Sequence, residues 1–77
     1  MDNKLRWNGG NLKRKRLKKG VYQTAVAEFL EIAPQSYGEM ERGEIKPDSG
    51  NLAKLCIYFD CAAQEFFDVP EKFLTKI

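Results

Sequence analysis

Hydrophobic residues recur at helical spacing along most of this chain. The clearest case lies at residues 49–59, where Leu52, Leu55, Cys56 and Phe59 follow the i, i+3, i+4, i+7 pattern of one helix face. Shorter apolar faces predict further helices at residues 11–19, 23–30, 34–42 and 62–67. No strand-like alternation of apolar and polar residues competes with this pattern. The sequence therefore predicts an all-α fold, a compact bundle of five helices.

Residues that favour helix ends stand at the borders of these segments. Asn11 is a suitable N-cap for the first helix, and Asp48 is one for the fourth. Pro34 suits the first position of the third helix. Only residues 31–33 separate the second helix from the third, and the small residue Ala27 lies on the inner side of the second. Two short helices joined in this way are typical of a helix-turn-helix.

Length limits the chain to one domain, because 77 residues hold a single hydrophobic core. We expect residues 1–10 to form a flexible N-terminal arm that ends at Asn8-Gly9-Gly10. Residues 11–67 are expected to form the folded domain, and residues 68–77 a C-terminal tail. No apolar run approaches the roughly 20 residues that a membrane span needs, and no apolar signal segment opens the chain. We therefore predict a cytoplasmic protein with no membrane partner.

The net charge of +2 conceals a division along the chain. Residues 1–20 carry eight basic side chains and one acidic side chain, a net charge of +7. The remaining 57 residues carry five basic and ten acidic side chains, a net charge of −5. A basic block of this kind suits a polyanionic partner, but a solvated helix face would have the same composition. Charge alone leaves both interpretations open.

The residue types present argue against an enzyme and against a metal site. The chain contains no histidine, the commonest general acid–base residue near neutral pH. Two thiolates supplemented by carboxylates are a poor set of zinc ligands. Cys56 and Cys61 stand in apolar stretches, where we interpret them as small core residues. We predict no enzymatic activity, no cofactor, no metal and no small-molecule ligand.

Taken together in one register, several residues resemble the helix-turn-helix proteins of the phage Cro and repressor type, the XRE family. The resemblance covers residues 11–67 and implies a lambda-repressor-like DNA-binding domain. The residues that carry it are Arg16, Gly20, Gln23, Ala27, Ile32, Glu41-Arg42-Gly43, Lys46-Pro47, Leu52, Leu55 and Glu65-Phe66-Phe67.

The resemblance also implies roles for individual residues. Arg16, a charge on the inner side of the first helix, would form a buried ion pair with Glu41; the alternative is that Arg16 extends to solvent. Five positions at the third helix would read bases in the major groove of double-stranded DNA: Pro34, Gln35, Ser36, Gly38 and Glu39. Among these, Gln35 suits adenine and Glu39 suits cytosine. Three further residues would contact the DNA backbone: Gln23, Arg42 and Lys46.

This chain departs from the family's pattern at several helix ends. Tyr22, Ala33 and Ala62 stand where a serine or threonine usually caps a helix, and each lost cap costs about 1 kcal/mol. Glu31 replaces the usual glycine of the turn. None of the five base-reading positions carries a lysine or an arginine.

We predict a sequence-specific DNA-binding transcriptional regulator, a repressor of prophage or mobile-element type. A domain this small makes few DNA contacts alone, so we expect a homodimer on a palindromic site. Its expected dimer surface is Phe73, Leu74 and Ile77 of the tail. The alternative is a protein-binding module, of antitoxin or inhibitor type, that uses the same fold without specific DNA readout.

Overall fold

The computed structural model describes residues 5–69, which contain four α-helices, one 3-10 helix and one two-stranded sheet. In chain order the elements are β1 (Arg6–Trp7), α1 (Gly9–Lys19), α2 (Gln23–Leu30), α3 (Pro34–Glu41), α4 (Ser49–Phe59), the 3-10 helix (Ala63–Phe66) and β2 (Phe67–Asp68). The two strands are antiparallel, with Arg6 opposite Asp68 and Trp7 opposite Phe67. Within residues 5–69, none of the helices has the length and apolar character needed to cross a membrane.

The predicted five-helix bundle is wrong, because residues 62–67 do not form an α-helix. They form the short 3-10 helix, and at Phe67 the backbone becomes extended, with φ −120° and ψ 156°. Ala62 provides no side-chain cap for a longer helix. The backbone of Phe67 and Asp68 instead pairs with β1, which satisfies polar groups that a helix end would leave unpaired. The four α-helices remain consistent with the predicted helix-turn-helix class.

The start of the first helix also differs from the prediction. We expected residues 1–10 to form an arm and Asn11 to cap the first helix. Within that stretch the structure places Arg6–Trp7 in β1, and it places Gly9 in α1. The N-cap is Asn8, whose side chain accepts a hydrogen bond from the Asn11 amide at 3.2 Å. Residues 5–10 are therefore part of the domain.

Trp7 of β1 contacts both the end of the 3-10 helix with β2 and the end of α3. Its ring centroid lies 5.8 Å from that of Phe66 and 5.6 Å from that of Phe67. Its indole Nε1 donates a hydrogen bond to the Met40 carbonyl oxygen at 2.9 Å. The sheet is thereby packed against the end of α3.

The core lies where the helices meet, and α2 contributes three adjacent buried side chains to it. Its cluster of buried hydrophobic residues comprises Leu12, Val26, Ala27, Leu30, Tyr37, Met40, Leu55 and Phe66. Cys56 and Cys61 are half-buried, have free thiols and pack against this core. The expected dimer residues Phe73, Leu74 and Ile77 lie outside the described residues.

A close approach between α1 and α3 depends on glycine at position 9. A Cβ atom at Gly9 would lie 2.3 Å from the Met40 carbonyl oxygen and 2.4 Å from the Glu41 carbonyl oxygen. Both neighbours are backbone atoms, which cannot rotate away as a flexible side chain can. Any side chain at this position would therefore push α1 away from α3.

We expect Gly9→Ala to lower the free energy of unfolding by about 1–3 kcal/mol, the usual cost of forcing an extra methyl group into a packed site. Gly50→Ala is the matched control. A methyl group at Gly50, in α4, meets only the Asp48 Oδ1 atom at 3.7 Å, so this substitution should stabilise the helix by roughly 0.5–1 kcal/mol. Urea denaturation measures both variants. Equal effects at the two positions would contradict the close approach.

Candidate nucleic-acid interface

The turn between α2 and α3 is built around a residue with positive φ. Glu31 has φ 61° and ψ 42°, a left-handed conformation that costs a non-glycine residue roughly 1–2 kcal/mol. Its amide donates to the Glu28 carbonyl at 3.0 Å, and the next amide, that of Ile32, donates to the Ala27 carbonyl at 3.0 Å. These bonds satisfy the last carbonyls of α2. The chain then enters α3 through the extended residue Ala33, which gives a helix-turn-helix.

The N-termini of these two helices receive no hydrogen bond from the side chain of the N-cap residue. The N-cap residues are Tyr22 for α2 and Ala33 for α3. The first amides of a helix have no partner within the helix, and they carry a partial positive charge. The two N-termini therefore keep N–H groups that suit an anion such as a phosphate.

A buried ion pair stands behind the helix-turn-helix. Arg16 Nε donates to Glu41 Oε2 at 2.6 Å, and Arg16 Nη2 donates to Glu41 Oε1 at 3.2 Å. The two residues are only 8% and 7% exposed. Arg16 Nη1 also donates to the Val21 carbonyl at 3.0 Å, and Gln23 Nε2 donates to Glu41 Oε1 at 2.9 Å. One carboxylate thus connects α1, the first residue of α2 and the end of α3.

The charged form of Glu41 is favoured in the folded protein. Burial by itself would raise the pKa of Glu41, but the polar contacts with Arg16, Tyr37 and Gln23 outweigh burial and hold the pKa below its ordinary value of 4.5. The hydrogen bond to Glu41 raises the pKa of Arg16. Burial also raises the pKa of the neighbouring Tyr37 hydroxyl, which has no hydrogen-bond partner at acceptable geometry among the described residues.

The positions predicted to read bases are not equally accessible. Pro34 and Gln35 are exposed, Ser36 and Glu39 are half-buried, and Gly38 is buried. Gly38 is covered by two side chains from the predicted backbone-contact set. A Cβ atom at Gly38 would lie 3.2 Å from Arg42 Nη1 and 3.9 Å from Gln23 Oε1.

Arg42 therefore lies beside the base-reading positions rather than apart from them. Helical spacing puts it on one side of α3, which we call the reading face and define by Gln35, Gly38, Glu39 and Arg42. Sequence reasoning assigned Arg42 to the phosphates and missed this placement. The signal that could have revealed it is the i, i+4 spacing from Gly38. Lys46, the remaining predicted backbone contact, is exposed in the loop after α3.

The charges of the helix-turn-helix and of α1 are opposite in sign. Residues 23–46 carry five acidic and two basic side chains, a net charge of −3. Helix α1 carries six basic side chains and no acidic one. Of these, Arg14, Lys15 and Lys18 line a groove of about 330 Å³ together with Asn11 and Glu65. Helical spacing places Arg14 and Lys18 on the side of α1 opposite to the buried Leu12.

Comparison with known proteins identifies the family. The helix-turn-helix family profile matches residues 12–66, which is most of the chain. The chain belongs to this helix-turn-helix family. The resemblance to the phage Cro and repressor type is thereby confirmed.

One curated relative carries the same motif. It is the SPbeta prophage-derived uncharacterized HTH-type transcriptional regulator YonR of Bacillus subtilis (strain 168), which is 45% identical over 47 residues. The alignment covers 61% of this chain and 44% of the relative. The chain thus matches less than half the length of that protein.

Solved structures share the fold. The restriction-modification controller protein C.AhdI from Aeromonas hydrophila matches with a TM-score of 0.69 and 29% identity, over 77% of this chain and 89% of that chain. The clp gene regulator ClgR from Corynebacterium glutamicum has a TM-score of 0.69 and 29% identity, over 75% and 62%. The DNA-binding domain of the P22 C2 repressor, at 23% identity and a TM-score of 0.71 over 86% and 84%, shows the fold alone.

A double-mutant cycle tests the energetic role of the buried ion pair. Arg16→Met and Glu41→Leu should each lower the free energy of unfolding by about 3–5 kcal/mol, since each leaves the partner charge buried and unpaired. The double variant should lose clearly less than the sum of the two. The exposed pair Arg42–Glu44 is the control, because removing either partner should change stability little. Additive losses for Arg16 and Glu41 would contradict coupling.

The pKa of Glu41 predicts a specific dependence of stability on pH. Because the folded pKa lies below 4.5, the stabilisation is fully present above that pH and is lost as the pH falls through the folded value. The variant Glu41→Gln has no carboxyl group at this position, so its stability lacks this dependence on pH. The difference in unfolding free energy between the wild-type protein and Glu41→Gln should therefore narrow as the pH falls from about 6 to about 3. Urea denaturation across this range measures it, and a constant difference would refute the assignment.

Proposed function

We propose that this chain is a sequence-specific DNA-binding transcriptional regulator that places α3 in the major groove. The observation that carries the proposal is the helix-turn-helix of α2 and α3 in a chain of the helix-turn-helix family. Its relatives support regulation as the role, since one is described as a prophage-derived transcriptional regulator and another as a restriction-modification controller. The prophage relative favours a repressor of prophage type.

Backbone contacts would come from the N-terminus of α2 and from the loop after α3. The free amides at the start of α2 suit a phosphate. The amide group of Gln23 uses a hydrogen bond to hold Glu41, and its second N–H stays available to a phosphate. Lys46 is exposed and would add a charge contact.

Base contacts would come from the reading face. Gln35 is exposed in the first turn of α3, and its amide can bond an adenine at two atoms. Glu39, one turn later, can accept a hydrogen bond from the amino group of cytosine. Pro34 and Ser36 flank Gln35. Pro34 would make van der Waals contacts, and the Ser36 hydroxyl would form a single hydrogen bond.

A dimer on a palindromic site completes the proposal. One domain of this size offers few base contacts, and two copies related by a two-fold axis would double them on a palindrome. We keep Phe73, Leu74 and Ile77 as the proposed dimer surface. Their apolar side chains near the end of this sequence would suit contact with a second copy.

A second candidate function is supported by the distribution of charge. The helix-turn-helix is acidic overall, whereas the cations of α1 line a groove on the side away from the core. A protein-binding module would use this groove for an acidic segment of a partner. In that case the helix-turn-helix would act as a scaffold.

The proposal predicts binding to duplex DNA that weakens with salt and depends on sequence. Fluorescence anisotropy with a labelled random duplex should show affinity falling linearly with salt on logarithmic axes between about 50 and 300 mM. Selection from a random duplex library should return a palindromic motif. Lys46→Ala should lower affinity for all sequences alike and reduce the salt slope by about 1.

Substitution of the α1 groove separates the two candidate functions. The double variant Arg14→Ala/Lys18→Ala should select the same motif as the wild type, because its changes lie away from α3. Absence of DNA binding by the wild type at low salt would refute the DNA proposal and favour the protein-binding module.

A further inference from the structure

We propose that Arg42 reads a guanine base, with Gly38 and Glu44 as the residues that position it. This inference rests on the proposed entry of α3 into the major groove. The base-reading set would then contain an arginine, which the five predicted base-reading positions lack. Three observations support it, namely the space above Gly38, the pairing with Glu44 and the accessibility of the guanidinium.

Gly38 provides the space that the guanidinium occupies. Side chains on a helix lean towards its N-terminus, so a residue one turn later covers the surface above an earlier one. Arg42 Nη1 lies 3.2 Å from the position of a Cβ atom at Gly38. A side chain there would compete with the guanidinium. The glycine costs about 1 kcal/mol within a helix, and this contact gives it a function.

Glu44 fixes the orientation of the guanidinium. Arg42 Nε donates to Glu44 Oε2 at 2.8 Å, and Arg42 Nη2 donates to Glu44 Oε1 at 3.4 Å. The chain reverses at Gly43, which has φ 79°, and the Glu44 amide donates to the Glu39 carbonyl at 2.9 Å. The acceptor for Arg42 is therefore held by the backbone that follows α3.

The pairing with Glu44 leaves the base-reading edge of Arg42 available. An arginine side chain has five N–H donors in one plane. The carboxylate occupies the edge formed by Nε and Nη2, and this leaves both hydrogens of Nη1 and one of Nη2. These remaining donors form a second edge that matches the O6 and N7 acceptors of guanine. The side chains of Arg42 and Glu44 are 57% and 55% exposed, so a duplex can reach them.

The same geometry favours a base over a phosphate as the ligand. A phosphate contact depends on net positive charge and carries no direct sequence information. The pairing with Glu44 reduces the local charge of Arg42 and fixes its orientation, which suits a base edge. As the C-cap residue, Arg42 lies in line with Gln35 and Glu39, on the reading face at the C-terminal end of α3.

Selection from a random duplex library, followed by anisotropy on single-base variants of the selected motif, tests the inference. We expect the wild type to select guanine at one position of the motif, preferred roughly 5- to 150-fold over other bases. Arg42→Ala should lose the preference at that position and keep the others. Gly38→Ala should weaken the same preference, although alanine favours the helix. Glu44→Gln should weaken it while raising affinity for random DNA at low salt.

Lys46→Ala is the matched control, because it should lower affinity without altering the motif. Circular dichroism and thermal unfolding confirm that each variant is folded. If Arg42→Ala selects an unchanged motif with uniformly lower affinity, Arg42 binds a phosphate. That result would overturn the inference and leave the proposed function intact. If the wild type selects no motif, the proposed function fails, and the inference fails with it.

Discussion

The ion pair between Arg16 and Glu41 is the interaction on which the helix-turn-helix depends. The pair removes two opposite charges from water, which costs solvation free energy. Two hydrogen bonds between the guanidinium and the carboxylate offset this cost. Gln23 adds a bond to the same carboxylate. These hydrogen bonds join α1, α2 and α3 in addition to their shared apolar core. An arrangement that separated the two groups while keeping them buried would leave an unpaired charge, which is costly.

This arrangement divides α3 into two sides with different roles. Its inner side supplies Tyr37, Met40 and Glu41 to the core and to the ion pair. Its outer side carries polar groups, and the buried ion pair joins the end of the helix to α1. The close approach at Gly9 acts in the same sense, because it fixes α1 against the backbone at the end of α3. A rigid support of this kind is what precise contacts with base edges need.

The charge of the domain is arranged unusually for a protein proposed to bind DNA. The helix-turn-helix has a net charge of −3 over residues 23–46, whereas α1 carries six of the chain's thirteen basic side chains. Long-range attraction to phosphates would therefore come from the whole chain rather than from the interface itself. Near the interface, oriented donors such as the guanidinium of Arg42 and the free amides of α2 would matter more than net charge.

Local signals in the sequence determined the helices on which the motif rests. The bounds predicted for α2 and α4 are those observed, and Pro34 begins α3 as expected, because caps and i, i+4 spacing act between neighbouring residues. Tertiary structure decided what depends on distant partners. Residues 67–68 became a strand because Arg6–Trp7 lies beside them, and no local pattern encodes that pairing. The chain's three-dimensional path likewise brought Trp7 to the Met40 carbonyl and Gly9 to the backbone at the end of α3. A sequence shows which residues can form such contacts, but only the folded backbone sets their distances.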